Sequence, residues 1–152
     1  MMGYLNQPRE TYFDPEGFGM TGDLGYYDQN GALHYVDRMK ELIKYCNNHV
    51  SPTQLEDILQ SHPFVRESLV FGIQEPSVQE LVSAVVVLND EANSLSEMDV
   101  KEYVNARVDA DYKKIRGKVI FRRCLPRNTM GKLLRREMRK WAEEQSALSI
   151  IR

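Results

Sequence analysis

Two stretches of the chain set a chemically useful side chain directly after a glycine: Gly131-Lys132 within "LPRNTMGKLLRREMRK" and Gly22-Asp23 within "TGDLGYYDQNG". A lysine that follows a flexible residue can be carried between two anions. A carboxylate such as Asp23 can accept from two vicinal hydroxyls at once, the pair a ribose offers, and Gly22 allows a close approach. The same Thr-Gly-Asp also reads as an ordinary turn. A third stretch, "VDRMKELIKY", supplies the rigid donor fork of Arg38 and the mobile point charges of Lys40 and Lys44. On an unbroken strand these three share a face; the alternative is an exposed edge strand kept soluble by its charge. Lys132 falls where a helix is expected to begin and free backbone amides favour an anion, though a loop lysine beside a capping Thr129 is the other reading.

Several chemistries are excluded. Gly-Lys alone lacks the earlier glycine and the following Ser or Thr of a phosphate-binding P-loop. His34, His49 and His62 do not have the spacing of a metal site, and Cys46 and Cys124 form no Cys-x-x-Cys pair, so no metal is expected. There is no Gly-x-Ser-x-Gly nucleophile elbow. The longest apolar run, "AVVVL", is far short of a membrane span, and "MMGYLNQPRE" has no signal-peptide core, so a soluble intracellular protein is expected.

The net charge of −2 hides an imbalance. Residues 112 to 140 carry twelve Lys or Arg against one acid, Glu137, a local +11 that leaves −13 on the rest of the chain. Such a block must face water, an anion or the acidic part of the same molecule. Nucleic acid is a poor match, since Tyr112 and Phe121 are its only aromatics and no recognised binding motif is present.

The elements that must position these residues are legible from punctuation and periodicity. Asn30-Gly31 between "LGYYD" and "ALHYVD" predicts a hairpin. Ser51-Pro52 predicts a helix start, with Leu55, Ile58 and Leu59 on one stripe over residues 52 to 60. "SLVFGI" and "LVSAVVVL" predict two buried strands, Ser96 caps a second helix carrying Val100, Tyr103, Val104 and Val108, and "KVIF" is a further strand. Leu134, Met138 and Trp141 mark a closing helix. With 42% apolar residues in 152, the chain can bury a real core. The fold class expected is α+β, a small mixed sheet with helices laid on it, preceded by a short hairpin. The change of character near "DRMKE" is the expected boundary.

Taken in order, these stretches resemble the adenylate-forming superfamily of acyl-CoA synthetases, 4-coumarate-CoA ligase-like enzymes and insect luciferases. "GYLNQPRET" is similar to that family's Gly-Tyr-x-Asn-x-Pro-Glu-x-Thr stretch, "TGDLGYYDQNGALHYVDRMKELIKY" to its ribose-binding and hinge motifs, "VSPTQLED" to a Val-x-Pro-x-Glu-Leu-Glu helix start, and "LPRNTMGKLLRR" to its Pro-Lys-Thr-x-Ser-Gly-Lys loop. The family's Gly-rich phosphate loop and acid pocket have no counterpart in this sequence. The resemblance therefore implies residues 1–37 as a remnant of a large AMP-binding domain, residues 38–41 as a hinge, and residues 42–152 as the carboxy-terminal lid.

By the same resemblance, Asp23 and Arg38 hold the ATP ribose, Lys40 is the hinge, and Lys132 bridges the acid's carboxylate and the α-phosphate while acyl-adenylate forms. Lys44 and the loop residues Cys46, Asn47 and Asn48 lie on the face that meets coenzyme A. The pair Asn47-Asn48 stands where the family has a glycine, Gln54 where it has Glu, and Arg127 where it has Lys. The implied function is a part of an ATP-dependent acid-thiol ligase with ATP, coenzyme A and a carboxylic acid as substrates, Mg2+ held mainly by the large domain, and that domain as partner in cis or trans. Alternatives are a truncated lid that docks on a partner chain, or a luciferase-like monooxygenase. The expected compartment is the cytoplasm; the terminus "SIIR" is not a Ser-Lys-Leu address, and the peroxisome is the alternative.

Overall fold

The computed structural model describes residues 5–6, 8–90 and 95–150, with side chains to residue 145. Gly3-Tyr4 at the head of the first motif and Ile151-Arg152 at the terminus lie outside the described residues. The chain divides into two compact units, Met1–Lys40 and Glu41–Arg152.

In the first unit, β1 (Asp23–Tyr27) pairs antiparallel with β2 (Leu33–Arg38). The turn forms where Asn30-Gly31 signals it. Asp28 Oδ1 accepts from the amides of Asn30 and Ala32 at 2.8 and 2.9 Å, and Gly31 takes φ +78°, which only glycine adopts freely. Its described residues bury only Asp37. Leu24, Tyr26, Tyr27, Leu33 and Tyr35 are all exposed, so this two-stranded sheet has no core of its own.

The second unit carries a five-stranded mixed sheet: β3 (Ile43–Tyr45), β4 (Asn48–Val50), β5 (Val65–Glu75), β6 (Gln79–Leu88) and β7 (Val119–Phe121). The order is β4-β3-β6-β5, with β7 parallel to β6 through Ala84–Val119, Val85–Ile120 and Val86–Phe121. Three helices cover it: α1 (Pro52–Gln60), α2 (Glu97–Asn105) and α3 (Arg135–Ile150). β5 and β6 read as near-continuous apolar runs because both of their faces are covered. Val70, Val82, Ala84 and Val86 join Leu55 and Leu59 of α1 and Val100 and Val104 of α2. The alternate residues Leu69, Phe71, Val85 and Val87 join Met138 and Ala142 of α3. Each Val, Leu, Phe or Met among them, fully buried, contributes about 1.5–3 kcal/mol.

Both expected helix starts form. Ser51 Oγ accepts from the Gln54 amide at 3.4 Å, and Ser96 makes a reciprocal capping box with Asp99. The fold is α+β, a mixed sheet with helices, as the periodicity implies. Among the described residues no helix is long and apolar enough to cross a membrane.

The stretch "YCNNHV" forms a tight hairpin: Cys46 and Asn47 both take left-handed φ, 46° and 62°, so the chain reverses in two residues and "NHV" returns as β4. Two local expectations fail. Arg38, Lys40 and Lys44 do not share a strand face, because β2 ends at Arg38 and Met39–Glu41 is a 3-10 turn. Lys132 does not start the helix; it precedes Arg135, the first residue of α3, by three positions.

Candidate functional site

The first unit places Asp23 opposite Arg38 across the hairpin, with Nε–Oδ1 at 3.2 Å. Gly22, at φ +74°, turns the chain into β1, and its carbonyl accepts from the Met39 amide at 2.9 Å. A side chain there would strain the backbone. The Asp23 carboxylate spends one oxygen on Arg38; the other has no partner among the described residues. It is therefore an open acceptor beside a single guanidinium contact. Arg38 is itself steadied from below, since its amide donates to the buried Asp37 carboxylate at 2.8 Å. Lys40 is exposed in the Met39–Glu41 turn.

In the second unit Lys44 stands on β3 opposite His49 of β4, both exposed. The Lys44 amide donates to Glu80 Oε2 at 2.7 Å. The tip is fastened to the β5–β6 turn: the Cys46 amide donates to the Val78 carbonyl at 3.0 Å and the Asn47 amide to Gln79 Oε1 at 2.9 Å. Asn48 Nδ2 closes the tip by donating to the Cys46 carbonyl at 3.0 Å. Cys46, Asn47 and Asn48 are all exposed at this tip. Glu80 is buried and also accepts from Gln74 Nε2 at 3.2 Å and Arg139 at 2.9 Å, so the hairpin's stem is tied to α3.

Lys132 sits on a separate loop. Arg127 and Leu133 pair across its base, and the Leu134 amide donates to the Pro126 carbonyl at 3.0 Å. Gly131 at φ +81° reverses the chain just before the lysine. Thr129 is not a cap; Asn128 organises the loop instead, accepting from the amides of Met130 and Lys132. The Lys132 ammonium is exposed and has no acidic partner among the described residues. Its flanks are pinned: Arg127 to Glu67 at 2.6 Å, and Arg135 to Glu56 and the Val70 carbonyl.

The structure thus brings Asp23 to Arg38, and Cys46–Asn48 to the same hairpin as Lys44. Within the second unit, Lys132 lies on a different loop from the Lys44 hairpin. Sequence reasoning missed Asn128, Glu80, Glu56 and Arg135. Only Asn128 carried a usable signal, as a turn-forming residue three places before a glycine. Among the described residues no group of three or more His, Cys, Asp or Glu is placed to hold a metal ion, and no step is assigned to one.

Residues 54–132 match the family model for the AMP-binding enzyme C-terminal domain. This chain belongs to that family. It is 44% identical to 4-coumarate–CoA ligase 1 of Oryza sativa over 143 residues, covering 92% of this chain and 25% of the rice protein. It is 40% identical to the luciferin 4-monooxygenase of Luciola mingrelica over 136 residues, covering 88% of this chain and 24% of that one. Its fold superimposes on ATP-bound MatB from Rhodopseudomonas palustris with a TM-score of 0.79 at 34% identity, over 88% of this chain and 26% of MatB. The chain spans about a quarter of the length of the relatives it matches.

Proposed function

We propose that this chain is the carboxy-terminal portion of an ATP-dependent acid-thiol ligase, with Lys132 the cation that its lid carries into a site built mainly by a larger domain. On this reading residues 1–37 close the large domain, residues 38–41 form the hinge with Lys40 at its pivot, and residues 42–152 turn about it. The observation that carries the reading is the Lys132 ammonium, exposed and with no acidic partner among the described residues, directly after a left-handed glycine on a loop whose two flanks are pinned to the body.

In the first step a carboxylate oxygen attacks the α-phosphorus of ATP. A carbon-oxygen-phosphorus bridge forms, the bond to the β-phosphate oxygen breaks, and pyrophosphate leaves. Two anions must approach one another, so a preorganised cation between them lowers the barrier. Asp23 accepts from the ribose hydroxyls, with Arg38 holding its carboxylate in place. In the second step the thiol of coenzyme A displaces AMP, and the hairpin bearing Lys44 and Cys46–Asn48 lines its approach. Asparagine tolerates the left-handed turn but adds side chains where the resemblance expects glycine.

The test uses this chain fused to the amino-terminal remainder of the rice ligase. Acid-dependent ATP–pyrophosphate exchange is expected to fall on the order of a hundred- to a thousandfold in Lys132→Ala. The 152-residue chain alone is expected to show none. Undiminished exchange in the variant fusion would remove Lys132 from the mechanism.

The exposed apolar face of the β1–β2 hairpin, with Tyr27, Leu33 and Tyr35 between 60% and 72% exposed, favours a second reading. It is that of a non-catalytic lid that docks on a separate chain carrying the large domain. Co-purification of the two chains, with no change in the ligase's exchange rate, would select it.

A further inference from the structure

The five residues from Asn128 to Lys132 are closed by four hydrogen bonds, and all four end on Asn128. Its carbonyl accepts from the Gly131 amide at 2.9 Å, and its own amide donates to the Lys132 carbonyl at 2.9 Å. Its side-chain Oδ1 accepts from the amides of Met130 at 3.0 Å and Lys132 at 2.8 Å. Little else holds the tip. Met130 is 91% exposed, and nothing approaches the position a Cβ on Gly131 would occupy. From outside the five residues, one side chain reaches in: Arg127 donates to the Gly131 carbonyl at 2.9 Å.

We propose that Asn128 is the positioning residue for Lys132, its carboxamide fixing the loop that presents the ammonium group. The inference rests on the reading of Lys132 as the adenylation cation. Asn128 is exposed, so removing its side chain opens no cavity and buries no orphaned group. What it removes is one acceptor shared by two amides. Those amides then turn to water, and Gly131, free to visit either half of backbone space, no longer has a single conformation imposed on it. Lys132 then spends only part of its time in the productive geometry, and misplacement of about 1 Å at such a group slows a reaction by up to about 100-fold. Asparagine suits the position because its acceptor is neutral. A carboxylate could make the same two bonds but would put a negative charge on the loop that carries the ammonium, where it would compete with the substrate's anions.

Two measurements decide it. The first is amide hydrogen exchange of the 152-residue chain. In Asn128→Ala the Met130 and Lys132 amides are expected to exchange at least about 10-fold faster, and in Asn128→Asp, which keeps the acceptor, to stay protected. The second uses the fusion to the rice ligase remainder. Asn128→Ala is expected to lower kcat for adenylation about 10- to 100-fold with KM for ATP unchanged, while thioester formation from supplied acyl-adenylate proceeds at the parent rate. Unchanged exchange at the two amides overturns the proposal, as does an equal loss in both half-reactions or no loss in either. If instead Lys132→Ala is as fast as the parent, the adenylation reading fails, and the exchange measurement still decides whether Asn128 sets the loop.

Discussion

At the scale of single residues, the arginine that opens α3 shows how charge is used to fix a loop. Arg135 forks onto Glu56 and the Val70 carbonyl, with Glu41 at 3.7 Å, and Glu56 also accepts from the Val70 amide at 2.7 Å. Glu56 is only 9% exposed, so removing that partner would leave a buried acceptor unpaired. Breaking such a pair from one side costs about 3–5 kcal/mol, whereas replacing both members by neutral groups is often close to neutral. Arg135→Met is therefore expected to lower the unfolding free energy by about that amount in urea titration, and adding Glu56→Gln to recover most of it. A double variant no more stable than Arg135→Met would show that the loss came from packing. None of this is legible in the sequence, because the partners stand 79 positions apart. Lys132 and Asp23 announce themselves by the glycines before them; a buried glutamate carries no local mark.

At the scale of elements, the join between α1 and α2 turns on His62. Its Nδ1 accepts from the Phe64 amide at 3.2 Å, and its ring stands edge-on to Tyr103 with centroids 4.5 Å apart. Tyr103 in turn meets Ser61 Oγ at 3.1 Å and lies under the Arg107 guanidinium. Burial, and then the Arg107 charge, hold the His62 pKa below its ordinary 6.5, with Asp99 opposing. The folded state thus binds fewer protons than the unfolded chain just below pH 6.5, so this contribution is present above that pH and is lost as the pH falls toward the lowered value. The urea midpoint is expected to drop between about pH 7.5 and pH 5.5, and to drop less in His62→Phe. Equal slopes in the two proteins would exclude His62 as the cause.

The elements themselves were mostly legible. Ser51 and Ser96 cap helices, and the two apolar runs are strands, because these signals act within a few residues. The β3–β4 hairpin carries no such local signal, since its reversal rests on left-handed backbone at a cysteine and an asparagine, held by hydrogen bonds from their amides to a turn some 30 residues later. Gln79, which supplies one of those acceptors, is itself left-handed at φ 76°. Such a pairing of two turns is a tertiary fact.

At the scale of the whole molecule, the basic block finds its counter-charge within the chain. Lys113 pairs with Asp109, Lys114 and Arg116 with Asp111, Arg127 with Glu67, Arg135 with Glu56, and Arg139 with Glu80 and Glu143. Every one of these acids lies outside residues 112–140. Arg122 instead lies over the Trp141 ring, 4.4 Å from its centroid. Much of the +11 is thus neutralised within the chain, locally around residues 109–116 and between α3 or its approach and the sheet, while Arg123, Lys132 and Arg136 are exposed with no acidic partner among the described residues. These fastenings and both apolar clusters fall within Glu41–Arg152, while the described part of Met1–Lys40 buries one residue. A lone two-stranded hairpin is marginal in water, so stability should reside in the second unit. A chain of residues 41–152 is expected to unfold cooperatively, with a urea midpoint close to that of the 152-residue chain. In the longer chain the amides of residues 23–38 should exchange far faster than those of residues 65–88. Loss of cooperative unfolding on removing residues 1–40 would mean that the hairpin is part of the folding unit rather than a strip awaiting a larger body.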